Sequence, residues 1–207
     1  MVFIYGNNAF AVMNEGTTLK NNLNGAVNLY SQYSTQGNPC HFIMNGGTIC
    51  NNSASQGAGV AIINYGYADF TMSGGVIKEN TATSAGGGGA IYSCANGTVT
   101  ISGGEIIGNK STSSEGGAMN VTGFSALVIT GGEISDNHIT ASKRGGGIFK
   151  SGIGAGSASC AHTSDSYAER KRYAFFQSQT ETDGRRIQSC GGSHPCSALT
   201  GLFSSPK

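Results

Sequence analysis

The chain has 207 residues, of which 34 are glycine, more than twice the usual share of roughly 7%. Charged residues make up 11%, there are 3 prolines and no tryptophan, and the net charge is +1. Collagen is excluded because glycine does not recur at every third position, and a helical bundle because each interior helix glycine costs about 1 kcal/mol. Wholesale disorder does not fit a 38% hydrophobic content with so little net charge. No basic excess points to nucleic acid, and no apolar run of about 18 residues offers a membrane span. What remains is a glycine-punctuated β protein.

In chain order, Met1–Gly6 has no charged leader and too short an apolar run for a signal peptide. It enters a coil almost at once, as a piece of a longer repeat protein would. A degenerate repeat follows at Val12–Asn22, offset by one inserted residue. Four close copies come next: HFIMNGGTICNNS from His41, DFTMSGGVIKENT from Asp69, TVTISGGEIIGNK from Thr98 and ALVITGGEISDNH from Ala126. Their glycine pairs, Gly46/Gly47, Gly74/Gly75, Gly103/Gly104 and Gly131/Gly132, are spaced by 28, 29 and 28 residues. A second glycine cluster leads a short apolar run in each repeat, as in Gly86–Tyr92 and Arg144–Lys150. Each repeat thus holds three apolar stretches of strand length, separated by turn residues.

Columns explain the recurrence. Phe42, Phe70, Val99 and Leu127 share one position, and Met44, Met72, Ile101 and Ile129 the position two residues later. Alternation of period two puts both on one strand face, and Ile49, Ile77, Ile106 and Ile134 form a third column. If each repeat is one coil, coils stack about 4.7–4.9 Å apart and the columns become internal stacks. The glycine pairs then serve as coil bends. Asn52, Asn80, Asn109 and Asn137, six residues after the first glycine of each pair, read as an internal asparagine ladder.

The repeat lapses near residue 155: 29 of the 34 glycines lie in residues 1–155 and 5 in residues 156–207. Residues 1–155 are therefore expected to form the repeat domain. Residues 156–207 are expected to form a tail that is disordered, translated out of frame, or partly a helical cap over Tyr167–Glu181.

Little in the pattern suggests chemistry. The six cysteines, Cys40, Cys50, Cys94, Cys160, Cys190 and Cys196, form no C-x-x-C, and only Cys190 and Cys196 around His194 hint at a metal or disulfide. No catalytic residue, cofactor or metal site is assigned. Glu105 and Glu133 share an outward column, where a surface ladder sharing a cation is the simplest reading. Any like residues in adjacent coils would show the close carboxyl spacing of a retaining glycosidase. His41 and Asp69 share a column at a coil corner and can pair on the surface. Small hydroxyls at Thr71, Ser73, Thr100, Ser102 and Thr130 also point outward, but Asn45 and Val128 interrupt that row and β-propensity accounts for it. Tyr65, Tyr67 and Tyr92 are aromatic residues suited to stacking on sugars.

The pattern F/V-x-M/I-x-G-G-x-I-x-x-N, followed by Gly88-Gly89-Ala90-Ile91, resembles the right-handed parallel β-helix repeats of the pectin-lyase-like superfamily. More closely, it is similar to repeats of bacterial surface and adhesin-like proteins such as the polymorphic outer-membrane proteins, over roughly residues 10–155. The resemblance implies an all-β, right-handed parallel β-helix, a β-solenoid of about five coils of 28–30 residues with three short strands each. It implies an extracellular or cell-surface location and a non-enzymatic stalk or adhesive surface toward glycans or host proteins. The alternative is a fragment of a polysaccharide lyase or glycoside hydrolase whose catalytic coils lie elsewhere. A lyase-like calcium site or an aspartate trio finds no match, since Asp69 and Asp136 are the only aspartates of the repeat body.

Overall fold

The computed structural model describes residues 1–32, 34–63, 66–140, 143, 145–152, 156–158, 162–164 and 175–176. Among these there is no helix, and the chain is an all-β solenoid of about five turns built from parallel strands. The first turn contains β1 (Val2–Tyr5), β2 (Phe10–Met13) and β3 (Thr18–Lys20). The second contains β4 (Val27–Tyr30), β5 (Cys40–Met44), β6 (Thr48–Cys50) and β7 (Ser53–Gln56). The third holds β8 (Val60–Ile63), β9 (Ala68–Met72), β10 (Val76–Lys78) and β11 (Thr81–Gly87). The fourth holds β12 (Ile91–Ser93), β13 (Gly97–Ile101), β14 (Glu105–Ile107) and β15 (Lys110–Ser111). The fifth holds β16 (Met119–Val121), β17 (Ser125–Ile129), β18 (Glu133–Ser135) and β19 (His138–Ile139), and β20 (Ile148–Lys150) begins another row.

The three expected strands of each turn are present, and from the second turn onward a fourth is added. Its sheet, β7-β11-β15-β19, is short and begins one residue after each ladder asparagine. Sequence patterning passes over it because its members, such as Ser53–Gln56 and Lys110–Ser111, are polar and turn-like, with single inward residues at Ala54, Ala82 and Ser111. Past residue 155, β21 (Gly156–Ala158), β22 (His162–Ser164) and β23 (Phe175–Phe176) pair in parallel with β17, β18 and β20. The rest of the tail, including most of Tyr167–Glu181 and all of Cys160, Cys190, His194 and Cys196, lies outside the described residues.

The three columns meet in register. Ile49, Ile77, Ile106 and Ile134 are direct partners along one sheet, with Leu19 at its start. Phe42 pairs with Phe70, then Val99 and Leu127, and the two phenylalanine rings stack with centroids 5.4 Å apart and planes 11° from parallel. Met13, Met44, Met72, Ile101 and Ile129 form the adjacent row. All of these but Leu19 are buried in one continuous core. At roughly 1.5–3 kcal/mol per large apolar side chain, the stacks are the main favourable term in folding.

The glycine pairs serve two physical needs, backbone conformation and close approach between turns. The second members, Gly47, Gly75, Gly104 and Gly132, sit at φ between 83° and 87°, a region that side chains rarely enter. The first members have ordinary φ but lie against the preceding turn: a Cβ on Gly74 or Gly131 would stand 2.5 Å from the carbonyl oxygen of Asn45 or Ser102. The first glycine only allows the backbones to touch, whereas the second both makes the bend and lies against the preceding turn.

Candidate functional site

At the corner between the third and fourth sheets runs the asparagine ladder, one rung longer than expected. Asn22 Nδ2 donates to Asn52 Oδ1 at 2.8 Å, and the same bond joins Asn52 to Asn80, Asn80 to Asn109 and Asn109 to Asn137, each at 2.9 Å. Each acceptor Oδ1 also receives the backbone N–H of the preceding rung, at 2.9–3.0 Å. The second amide hydrogen of Asn52, Asn80, Asn109 and Asn137 goes to the carbonyl of Leu19, Ile49, Ile77 or Ile106. An asparagine side chain can make four hydrogen bonds, and Asn52, Asn80 and Asn109 make all four. Burying an amide without partners costs roughly 1–3 kcal/mol, so full pairing is what allows these residues into the interior. Each rung follows a residue in left-handed backbone: Asn21, Asn51, Glu79, Gly108 or Asp136, at φ from 53° to 65°. That turn rotates the amide inward.

The outward candidates are arranged more loosely. Glu105 and Glu133 are exposed register partners on β14 and β18, and Ser135 Oγ donates to Glu133 Oε1 at 2.8 Å. His41 Nδ1 lies 3.6 Å from Asp69 Oδ2, and the two are register partners. They stand on the outer face of β5 and β9, not at a coil corner, because both strands begin one residue earlier, at Cys40 and Ala68. Asp69 Oδ1 also accepts the Thr98 N–H at 2.7 Å, so this carboxylate ties together three successive turns. Among the described residues no group of three or more His, Cys, Asp or Glu side chains is placed to hold a metal ion.

The hydroxyl row is present as a surface feature. Thr71, Thr100 and Val128 are register partners, and beside them Asn45 Nδ2 donates to Asn14 Oδ1 while Ser73 Oγ donates to Asn45 Oδ1, both at 3.1 Å. Asn45, which interrupts the row of hydroxyls, is the link in this outer chain of bonds. Cys40 and Cys50 are buried and Cys94 is half-buried, all as free thiols, and burial pushes the Cys40 thiol above its ordinary range. Tyr67 and Tyr92 are half-buried, and Tyr65 lies outside the described residues.

Sequence reasoning missed a different surface. Phe3, Tyr5 and Tyr30 form an aromatic cluster on the outer face of β1 and β4, with ring centroids 5.7–6.2 Å apart. Phe3 is 56% exposed and Tyr5 49%. Their spacing gives a signal, since Phe3 and Tyr5 are two apart, but Tyr30 follows Tyr5 by 25 residues rather than 28 or 29. The pairing of Tyr5 with Tyr30 is thus visible only once the strands are in register. Beside the rings lies a shallow depression of about 100 Å3 with Asn24, Asn28, Ser55 and Gln56 on its walls and Ala54 and Ala61 beneath.

Set against known proteins, the chain matches no family model, no curated protein and no solved structure.

Proposed function

We propose that the chain is a non-enzymatic β-solenoid, secreted or displayed on a bacterial surface, acting as a stalk and adhesive surface toward glycans or host proteins. The observation that carries this reading is the asparagine ladder. Its rungs satisfy one another across turns, which gives a stiff rod whose outward positions can vary without disturbing the interior. Such a rod suits a spacer that presents a face, and the repeat pattern resembles those of pectin-lyase-like and surface-displayed β-helices.

The test is direct. Incubated with pectin, xylan and related polysaccharides, the protein is expected to release no new reducing ends and no unsaturated product. On an array of glycans and host surface proteins it is expected to bind. Turnover of any polysaccharide would transfer it to the carbohydrate-active enzymes, and an array without binding would reduce it to a spacer.

A further inference from the structure

We propose that the outer face of the first two turns, formed by Phe3, Tyr5, Tyr30 and Asn28, is a binding platform for a neutral, linear oligosaccharide. This rests on the adhesive reading above and names the surface and ligand class behind it. Register brings the four side chains into one block: Phe3 pairs with Asn28 and Tyr5 with Tyr30, and all four point away from the core. The Phe3 and Tyr5 rings are 19° from parallel, and Tyr30 is tilted by 34° and 41° to them. Together they present a broad aromatic surface to solvent rather than closing over one another. Three partly exposed aromatic rings in contact are an unusual surface to leave in water unless something covers them.

The surroundings select the occupant. The block continues along the next turn, where Asn28 pairs with Ala61 and Tyr30 with Ile63. The small Ala61 leaves the depression flanked by Asn24, Asn28, Ser55 and Gln56. Asn28 is held in place by the turn before its own strand and by the chain start, its Nδ2 donating to the Asn24 carbonyl and to Met1 Sδ, both at 3.2 Å. Amides and a hydroxyl beside bare rings fit a ligand with apolar C–H faces and hydroxyl edges, which is the character of a pyranose ring. A purely apolar protein surface would strip water from the polar edge formed by Asn24, Ser55 and Gln56 without replacing it. None of these platform side chains carries a charge at neutral pH, which matches a neutral saccharide better than an acidic one.

Size points the same way. Pockets that enclose a drug-sized ligand run to roughly 300–1,000 Å3, so a depression of about 100 Å3 accepts one ring at most. The remainder of the ligand must lie across the aromatic face, which requires a chain of rings laid over neighbouring turns.

Calorimetric titrations of cellohexaose, xylohexaose and mannohexaose, with hexagalacturonate as the charged comparator, test this. At least one neutral hexamer is expected to bind, and Tyr30→Ala and the double variant Phe3→Ala/Tyr5→Ala are each expected to weaken it at least tenfold. Phe124→Ala, at an aromatic residue 56% exposed on another part of the molecule, should leave binding unchanged. Circular dichroism and melting of all variants should match the parent, because none of these side chains belongs to the core. Neutral hexamers that bind equally well to parent and platform variants would overturn the platform and leave the adhesive reading standing. Binding of hexagalacturonate alone would overturn the ligand class, and no binding by any hexamer would overturn the proposal outright. Reversible self-association in sedimentation velocity, abolished by the same variants, would assign the face to a second copy of the chain instead.

Discussion

The first and third turns share one interior and differ on the outside. Inside, Ile4 and Met13 of the first turn match Ile62 and Met72 of the third, and all are buried. Outside, the first turn carries exposed Phe3, Tyr5, Phe10 and Val12, where the third has a buried Ala61 and half-buried Ile63, Asp69 and Thr71 at the corresponding positions. The ladder becomes more exposed in the same direction, from a fully buried Asn80 to a half-buried Asn22. In a stacked fold each interior residue is a neighbour of its own copies, so one substitution disturbs two interfaces. Outward residues meet solvent and are released from that constraint.

Substitutions can break or sharpen this contrast. The largest effect is expected from Asn80→Ala, which strands buried donors and acceptors in the turns on both sides and should cost about 3–5 kcal/mol in denaturant unfolding. Asn22→Ala, at the half-buried end, should cost about 1 kcal/mol; equal losses would erase the distinction between the turns. Next comes Gly75→Ala, where a Cβ would stand 2.7 Å from the Gly47 carbonyl oxygen at φ 84°. A cost of about 2–4 kcal/mol is expected there, against about 1 kcal/mol for Gly16→Ala, where φ is 80° but nothing lies within 4 Å. The difference between the two isolates contact from backbone strain.

Lys150 extends the contrast to the other end. It occupies the inward column after Leu29, Ile62, Ser93 and Val121, is 3% exposed, and is held by burial below the ordinary lysine value of 10.5. The unfolded chain therefore keeps this proton to higher pH than the folded one, and stability should rise with pH between the lowered value and 10.5. Lys150→Met is expected to stabilise by about 1–3 kcal/mol at pH 7, with the gain shrinking as the pH approaches 10.5. A gain that does not change across that range would show the site is merely underpacked. The smallest effect belongs to the exposed pair: Glu105→Gln should stabilise by no more than about 0.5 kcal/mol by easing repulsion with Glu133, and added salt should remove the gain.

The interior was the legible part of the molecule because a buried position seen four times over cannot be mistaken for chance. Ile49, Ile77, Ile106 and Ile134 show their column, and Asn52, Asn80, Asn109 and Asn137 their ladder, before any coordinates are known. The fourth sheet was not legible, since two-residue strands such as Lys110–Ser111 and His138–Ile139 carry no alternation to read. Lys150 stayed hidden for a related reason: period two places it inward, but its charge reads as surface. Asn120 is similar, sitting in an outward column yet 3% exposed, with Nδ2 donating to the Gly86 carbonyl.

By itself, then, the sequence determined the turn length, the inward columns and the bend positions. These are local or self-repeating properties, and glycine at fixed phase records them directly. Tertiary structure alone decided the close approach of each glycine pair to the turn before it, the extra rung at Asn22 and the meeting of Phe3, Tyr5 and Tyr30. Each of those depends on which residues lie about 4.7–4.9 Å apart on adjacent turns, and the irregular first turn places them at spacings the repeat does not predict.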